Sequence, residues 1–212
     1  MSKIKYLTTL DIVELLFYNS TNGDTIMARP TEYDLEKVLD NAMELFWQKG
    51  YENVSMADLV AHTGLNRRTM YSLFTDKEGI FKDSLDNYYT KRSSKNITLL
   101  KNNPGKKGIV MFLEKFIFDK NFRGCLFTNC MGKSEFMRED AFNIPKDFFM
   151  TLQDQIEVNL KEASKSAEFS GNAKAMALTI ITLIHGLNVH GKYNHVKEDG
   201  EIIIKNIIDM IR

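Results

Sequence analysis

Proline occurs three times and glycine twelve times in 212 residues, so little interrupts the chain. Leu, Met, Lys, Glu and Ala recur at helical spacing over most of its length, and an all-helical fold is the expectation. Cysteine is almost absent. Cys125 and Cys130 form neither a CxxC pair nor a four-ligand zinc set, which excludes a disulfide framework and places the protein, in the absence of a secretory signal, in a reducing cytoplasm. Both thiols are expected to be small buried residues. An excess of charge is lacking too: 28 Lys and Arg balance 28 Asp and Glu. A polybasic tail binder is thereby excluded, and any contact with nucleic acid must come from a local surface.

A long apolar run is also missing. Leu10, Ile12, Val13, Leu15, Leu16 and Phe17 are interrupted by Asp11 and Glu14, too short a stretch to span a bilayer, and no membrane partner is expected. Leu7, Leu10, Val13 and Phe17 share a face, so 1–26 reads as an amphipathic extension lying on the rest of the protein. No Ser-His-Asp order, glycine-rich phosphate loop or zinc motif is present. His185, His190 and His195 are spaced by five, a step that turns successive side chains away from any common metal face. No metal and no cofactor are expected.

Helices are what the chain has. Leu35, Val38, Leu39, Ala42, Leu45 and Phe46 define an amphipathic helix whose opposite face carries Glu36, Asp40 and Glu44, and Gly50 suits a left-handed cap at its end. Ser55-Met56-Ala57-Asp58 resembles a capping box and starts a second, short helix. Thr63-Gly64 ends it. Asn66 caps a third helix containing Arg67, Arg68, Thr69, Met70, Tyr71, Ser72, Leu73 and Phe74, and Asp76 caps a fourth that runs towards Lys95. After the linker at Lys101-Asn102-Asn103-Pro104-Gly105, helices are expected near 108–120, 124–138, 145–165, 172–193 and 198–211. The stretch from Ala173 to His190 is apolar nearly all round, as a buried core or interface helix would be.

Two short helices joined by a tight glycine turn, the second capped by a small polar residue and presenting Arg-Arg-Thr, match a helix-turn-helix. With Ala42-Met43-Glu44-Leu45-Phe46 before it, Gly50-Tyr51 between, and Lys77-Glu78 after it, the run from Ser55 to Phe74 resembles the TetR family signature over roughly residues 33–81. The resemblance implies an N-terminal three-helix DNA-binding domain followed by a larger helical domain for dimerisation and ligand sensing. It implies base-edge positions at Arg68, Thr69 and Ser72 and phosphate positions at Ser55, Tyr71 and Lys77, with Asn66 and Arg67 completing the surface. Chemistry agrees, since Arg can read guanine bidentately and helix N-termini favour phosphate. Two departures from the family pattern are Leu73, where His is usual, and Val60, where Ala is usual. Residues 66–95 hold seven Lys or Arg against four Asp or Glu, whereas 32–58 hold two against seven, so the basic surface is one-sided. Arg123-Gly124-Cys125-Leu126-Phe127-Thr128-Asn129 resembles a segment from one branch of the family's sensor domains.

The expected organisation is an extension at 1–26, a helix-turn-helix domain at 27–75, a connecting helix at 76–100 and a sensing and dimerisation domain at 101–212. Met27 is a candidate start, because the resemblance begins just after it. Phe112, Phe116, Phe118, Phe122, Phe127, Phe136, Phe142, Phe148 and Phe149, with Met111, Met131 and Met150, make the last part rich in aromatic and thioether groups. A cavity for a small apolar or aromatic effector is expected there, lined by Phe112, Phe116, Phe127, Met131, Met176 and Ile180. The expected partners are double-stranded operator DNA, a second copy of the chain, and that effector; the expected output is repression relieved by the effector. A constitutive DNA-binding or partner-binding protein without effector is the alternative, separable by the absence of a cavity. A helical enzyme is the remote alternative, which would cluster His185, His190 and a carboxylate around one pocket.

Overall fold

The computed structural model describes residues 33–116, 120–132 and 137–212. The expected extension at 1–26 lies outside the described residues, as do parts of the helices expected at 108–120 and 124–138. Among the described residues there is helix but no strand.

Four helices come first. Helices α1 (Leu35–Lys49), α2 (Met56–Thr63), α3 (Arg67–Phe74) and α4 (Lys77–Tyr88) each begin at a side-chain cap: Asp34, Ser55, Asn66 and Asp76 accept from the backbone N–H three residues on. Each cap satisfies a donor that the helix itself leaves orphaned. At Ser55 the box is complete, with Ser55 Oγ accepting from Asp58 N at 3.1 Å and Ser55 N donating to the Asp58 carboxylate at 2.9 Å. The Ser55 hydroxyl also donates to the Asp58 carboxylate, and that bond, with the one from Ser55 N and the Lys49 ion pair, holds the Asp58 carboxyl well below its ordinary range. Gly50 has φ +81 but ψ 151, an extended exit rather than the expected left-handed cap. Gly64 does take the left-handed form, at φ 77 and ψ 1, which is what lets α3 turn away from α2 so abruptly.

Helix α4 does not stop where its α pattern ends. It passes through one π-helical turn, Tyr89–Ser93, into α5 (Ser94–Asn102). Then come α6 (Lys106–Leu113), α7 (Leu126–Met131), α8 (Glu139–Lys165), α9 (Ala173–His190) and α10 (Lys197–Asp209). Two of these are shorter than the sequence suggests, α6 ending at Leu113 and α7 at Met131. Helix α8 is longer, starting six residues before the expected Pro145. Pro145 sits inside the helix, where its missing N–H leaves the Ala141 carbonyl without its helical donor.

One apolar core runs from Val38 on α1 to Ile211. In the first helices Phe46 meets Phe81 edge-on at 4.9 Å, and Tyr51 packs on Phe81 at 4.6 Å, fixing α1 against α4. Asn159 on α8 is buried and its amide donates to the carbonyls of Leu100, Asn103 and Gly105, which satisfies the end of α5 and the turn into α6. Gly108 is required beside it: a Cβ there would lie 2.8 Å from Asn159 Nδ2 and 2.0 Å from the Asn103 carbonyl oxygen.

Candidate nucleic-acid interface and cavity

Helix α3 is anchored from below and bare above. Met70 and Phe74 are buried, as are Leu59 and Leu65 beneath the turn. Thr63 Oγ1 donates to the Leu59 carbonyl at 2.7 Å and accepts from Leu65 N at 3.3 Å, stiffening the turn. Buried residues at 70 and 74 force 68, 71 and 72 outward, since side chains one or two positions from a buried neighbour leave its stripe, while Arg67 is exposed as the first residue of the helix. Asn66, Arg67, Arg68, Tyr71 and Ser72 are accordingly exposed, and Thr69 is half-buried with its N–H held by Asn66 at 2.9 Å. The Arg67 guanidinium stands 5.7 Å from the Tyr71 ring centroid. Neither arginine has an ion-pair partner among the described residues. Ser55 is exposed at the start of α2.

Lys77 is placed differently from the rest. It is half-buried, its Nζ donates to the Tyr51 carbonyl at 3.1 Å, and it stands 4.2 Å from the Tyr51 ring centroid. Leu73 is half-buried against the core, and Val60 likewise packs on it, so both departures from the family pattern serve packing under the turn.

The acidic face of α1 is not a solvated face. Lys91 bridges Glu36 and Asp40 at 2.7 Å each, Arg92 reaches Glu44 at 3.0 Å, and Arg123 reaches the other Glu44 oxygen at 2.6 Å. Burial pushes the Asp40 carboxyl up, but hydrogen bonds from Lys91 and Asn87 and the charges of Lys91 and Arg92 outweigh it and leave Asp40 below its ordinary value. Nothing in the helical pattern of 35–49 signals these partners, which come from the π turn and from the loop before α7.

Behind that ion-pair layer lies a cavity of about 390 Å³. Trp47, Tyr88, Phe112, Phe116, Phe122, Phe148, Phe149, Leu152 and Ile184 form its apolar walls, and Lys91, Arg92, Ser93, Lys95, Asn96, Lys115 and Asn188 add polar groups. Of the residues expected to line a pocket, Phe112 and Phe116 do. Phe127, Met131, Met176 and Ile180 are not among its walls: Phe127 and Ile180 are fully packed core, Phe127 standing edge-on to Tyr88 at 4.9 Å. The six candidates all come from aromatic, Met and Ile positions of the second half, so they leave out Trp47, Tyr88, Lys91 and Arg92, which come from α1, from the end of α4 and from the π turn.

Gly124 explains its own place in the Arg-Gly-Cys segment. Its φ is +69, and a Cβ would lie 2.7 Å from the Asn188 carbonyl oxygen, so the loop can approach α9 only without a side chain. Cys125 follows in the cavity wall, 3.4 Å from the Tyr88 hydroxyl. Burial pushes its thiol pKa up, which disfavours the reactive thiolate. His185 lies against Phe149 with its ring centroids 4.3 Å apart, and His190 pairs with Tyr193 and Asn194. Neither lines the cavity, and among the described residues no cluster of His, Cys, Asp and Glu could hold a metal ion. No helix among them is long and apolar enough to cross a membrane.

Comparison with known proteins follows the same division. The sequence profile described as bacterial regulatory proteins, tetR family, matches residues 38–83. The HTH-type transcriptional repressor ComR of Escherichia coli K12 is 48% identical over 68 residues, 32% of each chain. IcaR of Staphylococcus epidermidis, a negative transcriptional regulator of a biofilm operon, is 25% identical over 122 residues, 57% of this chain and 66% of its own. The matches therefore span about a third of the one relative and just under two thirds of the other. Solved structures resemble the fold over more of the chain: CifR, a TetR-family regulator complexed with a 26-base-pair operator, superposes with a TM-score of 0.74 at 19% identity over 87% of this chain and all of that one. E. coli NemR in its reduced form gives 0.72 at 18% identity over 84% and 96%.

Proposed function

This chain belongs to the TetR family of bacterial regulatory proteins, and from that premise we propose that it is a homodimeric repressor, released from operator DNA by a small molecule bound in the cavity. The observation that carries the proposal is the outer face of α3. Arg67, Arg68, Tyr71 and Ser72 project from a helix of eight residues whose inner side is locked by Met70 and Phe74, and the charge of the two arginines is unanswered among the described residues. In this reading Arg68, Thr69 and Ser72 read base edges in the major groove, while Arg67, Ser55, Tyr71 and the N-terminus of α3 at Asn66 meet phosphates. Lys77 adds positive charge at the flank; the Tyr51 carbonyl uses one of its three protons and leaves two for a phosphate.

Dimerisation is supported by apolar side chains left uncovered on the last two long helices. Leu178 and Val189 on α9 are 45% and 55% exposed, and Ile202 on α10 is 59% exposed. A two-fold partner would bury them. Ile180 and Ile204 on the same two helices face inward, buried within the protomer at 1% and 6%.

The route from cavity to DNA is through α1. Lys91 and Arg92 line the cavity and at the same time hold Glu36, Asp40 and Glu44. A ligand that draws either cation inward loosens α1 from the π turn, and with it the spacing of the two α3 helices in a dimer. Release then follows as a shift of population towards the conformation with higher ligand affinity. Repression as the sign of regulation is supported by the relatives, named as a repressor and a negative regulator.

The test is a map of genomic fragments retained by the purified protein, with and without small-molecule cell extract. A discrete set of two-fold symmetric sites, depleted by extract, is the expected result. Retention without sequence preference would overturn the proposal, and preference unaffected by any extract would reduce it to constitutive binding.

A further inference from the structure

We infer that the cavity selects an anion, specifically a carboxylate carried on an aromatic or compact apolar body. The inference rests on the effector-release reading for its biological meaning but on the cavity's own walls for its chemistry. Four cations line the cavity, Lys91, Arg92, Lys95 and Lys115, and no Asp or Glu does. Lys91 and Arg92 are answered by the carboxylates of α1. Lys95 and Lys115 have no ion-pair partner among the described residues; Lys115 Nζ has one neutral partner, Asn96 Oδ1, at 2.8 Å. The cavity therefore carries uncompensated positive charge beside a wall of aromatic rings.

A second, independent observation comes from two orphaned polar atoms. Trp47 Nε1 and Ser93 Oγ are buried without a hydrogen-bond partner, and both residues line this cavity. Unpartnered buried donors are rare in folded proteins and mark places where something is missing. Indole N–H can only donate, so what is missing at Trp47 is an acceptor. Ser93 is 3% exposed and closes the π turn, a distortion that tends to occur at functional positions. Its hydroxyl has not bonded back to the preceding turn as helical serines commonly do. The unanswered indole donor and the unpaired Lys95 and Lys115 together favour a group that accepts hydrogen bonds and is negatively charged, and a carboxylate is the anion that a compact apolar body can carry into so aromatic a wall. Desolvation, and then the charge of Lys95, lower the Lys115 pKa; a bound anion relieves the repulsion.

Trp47 is the single tryptophan of the chain, so its fluorescence reports occupancy without a label. The experiment titrates the full chain with three probes of one shape: 4-tert-butylbenzoate, its primary amide and 4-tert-butylbenzylammonium. The expected result is saturable quenching by the benzoate at about tenfold lower concentration than by the amide, the scale of one or two charge-assisted hydrogen bonds, and no response to the ammonium. In the double variant Lys95→Gln with Lys115→Gln the benzoate should fall to the affinity of the amide. The amide should keep its own affinity, which shows that the variant is folded. Equal binding of benzoate and amide by the wild type, absence of any saturable response to the benzoate, or full preference retained by the double variant would overturn the inference. Operator affinity is measured in the same titrations. Benzoate bound with preference but without effect on operator affinity supports the anion site and overturns the effector reading, so the two fail separately.

Discussion

Two charged surfaces of the first three helices differ in one respect. The carboxylates of α1 are all answered from within the protein, by Lys91, Arg92 and Arg123, while Arg67 and Arg68 on α3 are answered by none among the described residues. Both surfaces are partly exposed, so solvent alone does not explain the difference. Charges paired inside one chain hold elements together; charges kept apart from every carboxylate preserve their attraction for something outside. The contrast teaches that one run of three helices can leave one charged face unpaired and use another to hold itself to the π turn and the loop before α7.

The largest effect should come from breaking the pairing of the α3 surfaces rather than either surface itself. Leu178→Glu combined with Val189→Glu places two charges on the exposed apolar stripe of α9. Sedimentation should find a monomer, and operator affinity should fall by about a hundredfold or more as two linked half-sites become independent. Arg68→Ala attacks the unpaired surface directly and should cost about 1–3 kcal/mol on the selected site, relaxing discrimination at one base pair per half-site. A gel-shift series on single-base variants reads that loss. Lys77→Ala should weaken selected and random DNA alike, lowering the salt slope by about one unit per half-site.

Smaller effects sharpen the contrast from the paired side. Ser55→Ala removes one half of the capping box and should lower unfolding stability by about 1 kcal/mol, seen in urea denaturation. Asp40→Asn should cost less than about 1 kcal/mol near neutral pH, because its pair with Lys91 is partly exposed and screened. The sign follows from the depressed carboxyl of Asp40. Its contribution is fully present above its ordinary value of 3.8 and is lost as pH falls through the lower folded value, so wild type and Asp40→Asn should differ at neutral pH and converge on acidification.

What the sequence made legible was local. Ser55, Asn66 and Asp76 announce three helix starts because a cap acts within three residues, and Gly64 announces the turn because its conformation is a property of one residue. The exposure of Arg68, Tyr71 and Ser72 follows from the phase set by Met70 and Phe74, whereas that of Arg67 comes from its place at the helix start. The cavity was legible only as an excess of aromatic residues, since its walls are collected from α1, the π turn, α6, α8 and α9. Phe127 and Ile180 look from sequence like Phe112 and Phe116, and only packing brings the second two to the cavity wall and keeps the first two away from it. The acidic stripe of α1 was visible, yet its ion-pair partners lie between 48 and 79 residues away in the chain, beyond the reach of any periodic signal. The orphaned donors of Trp47 and Ser93 have no signature at all, because lacking a partner is a fact about the fold.

The most direct test of specific recognition by the unpaired surface is equilibrium binding of the wild-type protein to a duplex selected from a random pool and to its scrambled version, across a salt series. The account predicts steep salt dependence on both duplexes, with the selected one bound at least about a thousandfold more tightly at physiological salt. Equal affinity for the two duplexes, or affinity indifferent to salt, would contradict it.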